Sequence, residues 1–203
     1  DGAYLLKLLN NDYSDFRPSI KVSLALFQQK DSFSHDPALK DIFLWLGIEI
    51  PSEKKEGPIS NQCEIGGTCV IRSRESIISM KYPRIKFRPS QNDLLHLDLI
   101  IGGLNILKDS GTYSYDQKLE GNQFSGVSGH NTVEFDDQDQ LRKLSNFMYL
   151  DWLDSENINA LSLESNIYKF SAGYTDHRNN THLRSIIFYP TSKKLIVKDK
   201  ISG

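Results

Sequence analysis

The most constraining feature of this chain is a long succession of short runs of branched residues, beginning near residue 60, that no helical pattern interrupts. In the run 95–101, leucine or isoleucine stands at every second position, with His96 and Asp98 among the residues between them. This alternation is typical of a strand with one buried face. Gly102 and Gly103 then suit a two-residue hairpin turn. Roughly nine or ten strands in succession predict a mainly β fold, an antiparallel sandwich or barrel.

Residues 1–50 carry a helical pattern instead. Pro18 suits a first helical turn, and apolar residues recur at positions 20, 24 and 27. A second helix is indicated by Asp36 as N-cap, Pro37 after it and Gly47 at the C-terminal end. Two short helices bury little surface by themselves, so we expect them to pack on a layer outside this chain. The predicted division is a helical segment at 1–50 and an antiparallel β-sandwich at 51–203.

The charge balance argues against nucleic-acid binding, and the hydropathy argues against a membrane-spanning helix. The chain has 203 residues, with 24 Lys and Arg against 26 Asp and Glu, and a net charge of −2. A balanced surface lacks the positive field by which a whole domain binds nucleic acid. No apolar run approaches the roughly 20 residues of a membrane-spanning helix. We therefore expect no nucleic-acid partner and no membrane span, and an anionic ligand must meet a local basic patch.

The ends of the chain and its two cysteines leave the cellular compartment open. The chain begins at Asp1 without an initiator Met or a leader pattern, and it stops just after a strand-like run. We interpret it as a fragment of a longer protein. Cys63 and Cys69 flank a Gly66-Gly67 turn and are close enough for a disulfide, but two free, buried thiols fit the sequence at least as well.

Asp109 and His130 are the first candidate site residues. Asp109 follows a strand-like run directly before a turn, and His130 precedes the run "NTVEF". A carboxylate and an imidazole on neighbouring loops can hold a divalent ion such as zinc if a third ligand reaches the same point. The alternative is that Asp109 caps its turn and His130 orders a loop, since Asp is a favoured turn residue.

Two further sets of residues could bind or transform a sugar. Tyr113 and Tyr115 point the same way if "TYSYD" is extended, and a phenol can move a proton or stack on a sugar ring. Arg84, Lys86 and Arg88 put three cations on one strand face, which suits carboxylate or sulfate groups. The alternatives are tyrosines packed in the core and a solvated basic face. The remaining histidines, His96 included, are expected to be structural or exposed.

The motifs D-x-G-T-Y-x-Y at Asp109–Tyr115 and H-N-T-V at His130–Val133, with "FMYLDWL" after them, resemble the C-terminal part of the heparinase II/III family of polysaccharide lyases. The resemblance covers essentially the whole chain. It implies a super-sandwich of antiparallel sheets packed on a helical toroid, of which residues 1–50 are the closing helices. It also implies an acidic polysaccharide in the cleft between the two, and a periplasmic or secreted bacterial protein.

Members of this family cleave uronic-acid-containing chains by β-elimination, commonly with a toroid tyrosine as the proton shuttle. The resemblance places that tyrosine before Asp1, so we expect the fragment alone to be inactive. It also implies that Asp109 and His130 hold a structural zinc. The family's third zinc ligand is a histidine whose place here is Gln91, and a catalytic histidine two residues earlier corresponds to Pro89. Because glutamine is a poor zinc ligand, Gln91 weakens the expected zinc site. Pro89 removes the histidine that the resemblance assigns to catalysis.

The sequence therefore predicts part of a polysaccharide lyase. The catalytic candidates are His130, Tyr113 and Tyr115, and the possible zinc ligands are Asp109 and His130. The candidates for substrate binding are Arg88, Gln91, Asn131, Arg84 and Lys86. Arg88 with Gln91 would meet the uronate carboxylate, and His130 with Asn131 would order the floor of the cleft. The alternatives are a non-catalytic carbohydrate-binding or assembly domain of the same fold and a uronate C5-epimerase.

Overall fold

The computed structural model describes residues 15–33, 39–54, 59–84, 88–89, 91–111, 124–145 and 148–203. The chain divides into two compact units, Asp1–Pro58 and Ile59–Gly203. The first contains helices and the second antiparallel sheets. Among the described residues, no helix is long and apolar enough to cross a membrane.

The first unit contains α1, Arg17–Gln28, and α2, Asp41–Leu46. Pro18 lies in the first turn of α1, where its missing N–H costs nothing. Gly47 ends α2 at φ +63°, as predicted for a C-terminal glycine. The predicted cap residues Asp36 and Pro37 lie outside the described residues.

The buried face of α1 differs from the predicted one. Pro18, Lys21 and Ala25 are buried, whereas Phe27 is 84% exposed. Lys21 can lie inside because its ammonium donates to the Asp31 carboxylate and to the Ser32 carbonyl. The buried face of α1 therefore includes a lysine paired with a carboxylate, whereas the apolar periodicity had predicted that positions 20, 24 and 27 form this face.

In the described part of the second unit, all paired strands are antiparallel. The strands are β1 Asn61–Cys63, β2 Thr68–Arg72, β3 Ser76–Lys81, β4 Leu97–Ile101, β5 Leu104–Leu107, β6 Lys143–Ser145, β7 Met148–Tyr149, β8 Glu156–Glu164, β9 Ile167–Thr175, β10 Thr181–Tyr189 and β11 Lys194–Ser202. They form a five-stranded sheet in the order β1-β2-β3-β4-β5, a four-stranded sheet in the order β11-β10-β9-β8 and a pair, β6-β7.

The two large sheets share one core, which confirms the predicted sandwich. Ile78 of β3 and Phe188 of β10 are both 0% exposed and belong to the same buried cluster. The Tyr82 ring, just beyond β3, lies 5.4 Å from the ring of Phe170 on β9. Burial alternates strictly along β10, so every second side chain enters this core. The fold is mainly antiparallel β, preceded by a short helical segment.

The inward face of β10 is not uniformly apolar. It begins with His182 and Arg184 and continues with Ile186 and Phe188, all of them buried. The two polar side chains thus enter the sandwich at one end, beside β4 and the segments that follow β5.

Two predicted strands differ in the structure. β4 begins only at Leu97, because Leu95 has φ +59° and the His96 N–H donates to the Asp93 carbonyl, which closes a turn. The run after His130 is irregular and makes one short bridge, from Phe135 to Gln138. The turn at Gly102 and Gly103, with φ +58° and +82°, is as predicted.

The two cysteines are free. Cys69 on β2 lies directly opposite Gln62 on β1, so Cys63, the next residue along β1, points to the other face of the sheet. Cys63 is exposed and Cys69 is buried in the core. Burial raises the pKa of the Cys69 thiol to about 12, so this thiol is protonated at neutral pH.

Candidate functional site

Three segments of the second unit meet at one end of the five-stranded sheet. The first is the turn Asp93–His96, which leads into β4, and the second is the segment around Asp109, which follows β5. The third is the loop at His130, which follows a short 3-10 turn at Val127–Gly129. The Ser110 N–H donates to the Gly129 carbonyl at 3.1 Å and joins the second segment to the third.

These segments bring His96, Asp109 and His130 together. One possible ligand atom from each lies within 4.8 Å of the others. The Nδ1 atom of His130 is 3.1 Å from the Asp109 carboxylate, and the rings of His96 and His130 are 5.3 Å apart at 75°. The structure thus places Asp109 and His130 side by side, and it adds His96, which the sequence analysis assigned no site role.

The imidazole of His130 is buried and lacks a hydrogen bond at either nitrogen among the described residues. Its 3.1 Å approach to Asp109 therefore lacks hydrogen-bond alignment. Burial lowers the pKa of His130, and the nearby Asp109 charge opposes that shift. A neutral imidazole beside a carboxylate, with its nitrogens otherwise unused, is a donor set that suits a divalent ion.

His96 is partly engaged. Its Nδ1 atom accepts a hydrogen bond from the Asn131 N–H at 3.1 Å, and its Nε2 atom lies 3.3 Å from the Asp98 carboxylate without hydrogen-bond alignment. Because a neutral imidazole has one free electron pair, this arrangement puts the ring proton on Nε2. His96 can bind a metal only after it releases Asn131.

Asn131 ties the site to β4 and to the residue that follows β5. Its side-chain nitrogen donates to the Leu97 carbonyl at 3.2 Å and to the Lys108 carbonyl at 3.1 Å. Both amide N–H groups are therefore used by the main chain, and they hold the loop that carries His130 against the sheet.

The other predicted site residues are less completely placed. Arg84 and Arg88 are exposed, Gln91 is half-buried, and Arg84 makes an isolated bridge with Asp154. Tyr113, Tyr115 and Lys86 lie outside the described residues. The chemical roles assigned to all of these residues stay predictions.

A polar network that the sequence analysis missed lies beneath the cluster. The Gln140 side chain accepts from the Leu94 N–H at 2.9 Å and donates to the Leu94 carbonyl at 3.0 Å and the Tyr174 hydroxyl at 3.1 Å. Arg184 reaches the same turn from β10. The available signal was the polar residue at every second position, His182 and Arg184, where β10 otherwise alternates as a buried strand.

The family model "Heparinase II/III-like, C-terminal" matches residues 59–203. Two solved structures share the fold at low sequence identity. The chain is 21% identical to a heparan sulfate lyase from Pedobacter heparinus, with a TM-score of 0.61, covering 93% of this chain and 28% of that one. It is 20% identical to a heparinase III with methylated lysines, with a TM-score of 0.64, covering 94% of this chain and 28% of that one.

Among curated proteins there is no match. The chain spans between 25% and 28% of the length of the structures that it resembles. The likeness establishes the fold of the described part.

Proposed function

Because the chain belongs to the heparinase II/III-like C-terminal family, we propose that it is the sheet domain of a polysaccharide lyase that cleaves uronic-acid-containing acidic polysaccharide by β-elimination. The observation that carries this proposal is the cluster of His96, Asp109 and His130 on loops at one end of the five-stranded sheet, inside the matched residues. Polar clusters on loops of a rigid sheet are where binding and chemistry concentrate. We assign the rest of the active site to an upstream helical domain of the same protein, in the periplasm or outside the cell.

In this reaction a base removes the proton at C5 of the uronate, and the leaving oxygen at C4 takes up a proton. The negative charge that develops next to the carboxylate must be stabilised. We assign Arg88 and Gln91 to the carboxylate, because a guanidinium and an amide can both donate to its oxygens. Arg84 and Lys86 would continue this basic surface along the polymer.

The remaining site residues would bind and order the sugar. Tyr113 and Tyr115 are assigned to the sugar rings, on which a phenol can stack while its hydroxyl group exchanges a proton. Asn131 keeps the loop of His130 in place through its two bonds, to β4 and to the residue that follows β5. Burial lowers the pKa of His130, which favours its neutral imidazole.

We further propose that Asp109 and His130 bind a zinc ion. The unused nitrogens of His130 and the adjacent carboxylate fit this ion. His96 is the third ligand in place of the lost histidine at Gln91, once its bond from Asn131 is released. When bound, the ion supplies a fixed positive charge that joins the segment after β5 to the loop of His130.

The test is an assay of the longer parent protein on a panel of uronate polymers, with the unsaturated product followed by its ultraviolet absorbance. We expect cleavage of at least one polymer, and a fall in kcat/KM when Arg88 is replaced by Ala. The exposed Lys194 on β11, replaced by Ala, is the matched control. Polymer binding without any unsaturated product would overturn the lyase assignment.

A second candidate is a carbohydrate-binding domain that has kept the fold and lost catalysis. It is favoured by Pro89 and Gln91, which stand where the family carries a catalytic and a metal-binding histidine. Restoring both histidines in the parent distinguishes the two. Cleavage that appears only in the restored protein supports the binding domain, and cleavage by the unaltered protein supports the lyase.

A further inference from the structure

We propose that Arg184 is a positioning residue, whose guanidinium fixes the turn that carries His96 against the loop that carries His130. The inference deepens the proposed function and rests on it only for its effect on catalysis. The geometry itself depends on described contacts alone.

A single nitrogen of Arg184 joins the two segments. Nη1 donates to the Leu95 carbonyl at 2.7 Å and to the Asn131 carbonyl at 2.5 Å. Leu95 directly precedes His96, and Asn131 directly follows His130. The separation of the two imidazoles is therefore linked to the position of one side chain that reaches in from β10, on the opposite sheet.

The other side of the guanidinium is held equally firmly. Nε and Nη2 donate to the two oxygens of Asp199 at 2.7 and 2.9 Å. Asp199 lies directly opposite Arg184 on β11 and also bonds the Nε2 atom of His182 at 2.8 Å. Arg184 is only 6% exposed, so its donors have no ready exchange with water. A planar fork that serves a carboxylate on one side and two carbonyls on the other is a task that lysine cannot perform.

The turn held by Arg184 needs external support. Leu95 adopts φ +59°, which is unfavourable for a residue with a branched side chain. Gln140 binds both polar main-chain groups of Leu94, and the Thr132 hydroxyl donates to the Leu94 carbonyl at 2.7 Å. Arg184 provides the matching bond at Leu95. This over-determined turn fixes where the His96 side chain begins.

The test compares Arg184→Lys with the unaltered 203-residue chain by amide hydrogen exchange and by the NMR signals of the histidine rings. Lysine keeps the charge opposite Asp199 but cannot reach both carbonyls. We expect exchange to accelerate at least tenfold at the amides of His96, Asn131 and Thr132, and the ring signals of His96 and His130 to shift. Protection along β8, β9 and β10 should change little.

Two controls separate positioning from general stability. Lys21→Met removes another buried cation, from the first unit, and should leave the His96 and His130 signals unchanged. Asp199→Asn weakens the anchor of Arg184 and should loosen the same amides to a smaller degree. It also supplies the readout if Arg184→Lys does not fold. Unchanged exchange and ring signals in the Arg184 variant, or in Asp199→Asn where only that variant folds, overturn the inference.

In the longer parent, Arg184→Lys should lower kcat by roughly ten- to a hundredfold with a smaller change in KM, since displacement of site groups by about 1 Å costs this much. A parent without lyase activity would remove the proposed function while the exchange result still stands. An active Arg184→Lys parent with normal kcat would show that the positioning does not serve the reaction.

Discussion

At the scale of single residues, the cluster is distinguished by the two ring nitrogens of His130. His130 is buried, yet neither ring nitrogen has a hydrogen bond among the described residues. Buried polar atoms nearly always have partners, so an unused imidazole beside a carboxylate supports the proposed metal site. Gln91 would be a weak metal ligand, whereas His96 offers an imidazole within reach.

Zinc titration of the 203-residue chain against a chromogenic chelator tests this cluster. Asp109→Asn and His130→Ala should each weaken zinc binding by more than the roughly 10- to 100-fold that outer-shell changes cost. His96→Ala should weaken it as well, because it removes the third ligand, while Gln91→Ala should have little effect. The reverse order for His96 and Gln91 would show that the third ligand lies at position 91.

At the scale of elements, the secondary structure was predictable where the local sequence pattern and the tertiary contacts favour the same conformation. The runs that become β8 to β11 are short, rich in branched and aromatic residues, and pair in order, so their strands follow from local composition. The start of β4 was not predictable, because Leu95 is held in a turn by Gln140 and Arg184, residues distant in sequence. The site role of His96 depends on that turn, whereas Asp109 and His130 were predicted from their places beside turns and from the motif resemblance.

The shared core predicts unequal costs for the same chemical change in two strands. Ile78 on β3 is 0% exposed and Ile201 on β11 is 55% exposed. Ile78→Val should lower the free energy of unfolding by roughly 0.5–1.5 kcal/mol through its lost methylene and cavity. Ile201→Val should stay within about 0.5 kcal/mol of the original. Urea unfolding curves measure both, and equal losses would argue against the sandwich core.

The β10–β11 pair predicts a dependence of stability on acid. Burial by itself raises the pKa of Asp199, but hydrogen bonds from His182 and Arg184 outweigh it and hold the pKa well below its usual range. The folded state thus favours the carboxylate, and its contribution is complete above the unfolded pKa of about 3.9. Stability should fall as pH decreases below about 4, toward the lower folded pKa.

Denaturant unfolding of the Asp199→Asn variant between neutral and acidic pH measures this contribution. The variant should be less stable than the original at pH 7 and should lose less stability on acidification. Asp137→Asn, at an exposed turn position, is the control and should keep the original slope. An unchanged acid slope in the Asp199 variant would contradict the linkage.

At the scale of the whole molecule, the chain spans only part of the length of the structures that it resembles in fold. It covers about 28% of the heparan sulfate lyase that it resembles in fold. Its helices leave large apolar side chains exposed, with Phe27 at 84% and Leu44 at 82%. Exposed apolar residues of this size are typical of surfaces that contact another segment. This exposure fits the proposal that the helices contact an upstream domain of the parent protein.

The isolated 203-residue chain should bind uronate polymer weakly and cleave none of it, because the proposed proton shuttle lies upstream. Product absorbance over long incubation measures cleavage, and the parent protein at equal concentration is the positive control. Product formed by the chain alone would place the reacting groups within these residues. It would refute the proposal that the active site is shared with an upstream domain.

The two cysteines differ in solvent exposure, so their rates of alkylation can report opening of the β-sandwich. An alkylating reagent should label the exposed Cys63 quickly and leave Cys69 untouched, because Cys69 is buried and its thiol pKa is raised to about 12. Cys69 becomes reactive when β2 separates from the opposite sheet. The rate at which Cys69 is slowly labelled therefore measures how often the sandwich opens in a solution without denaturant.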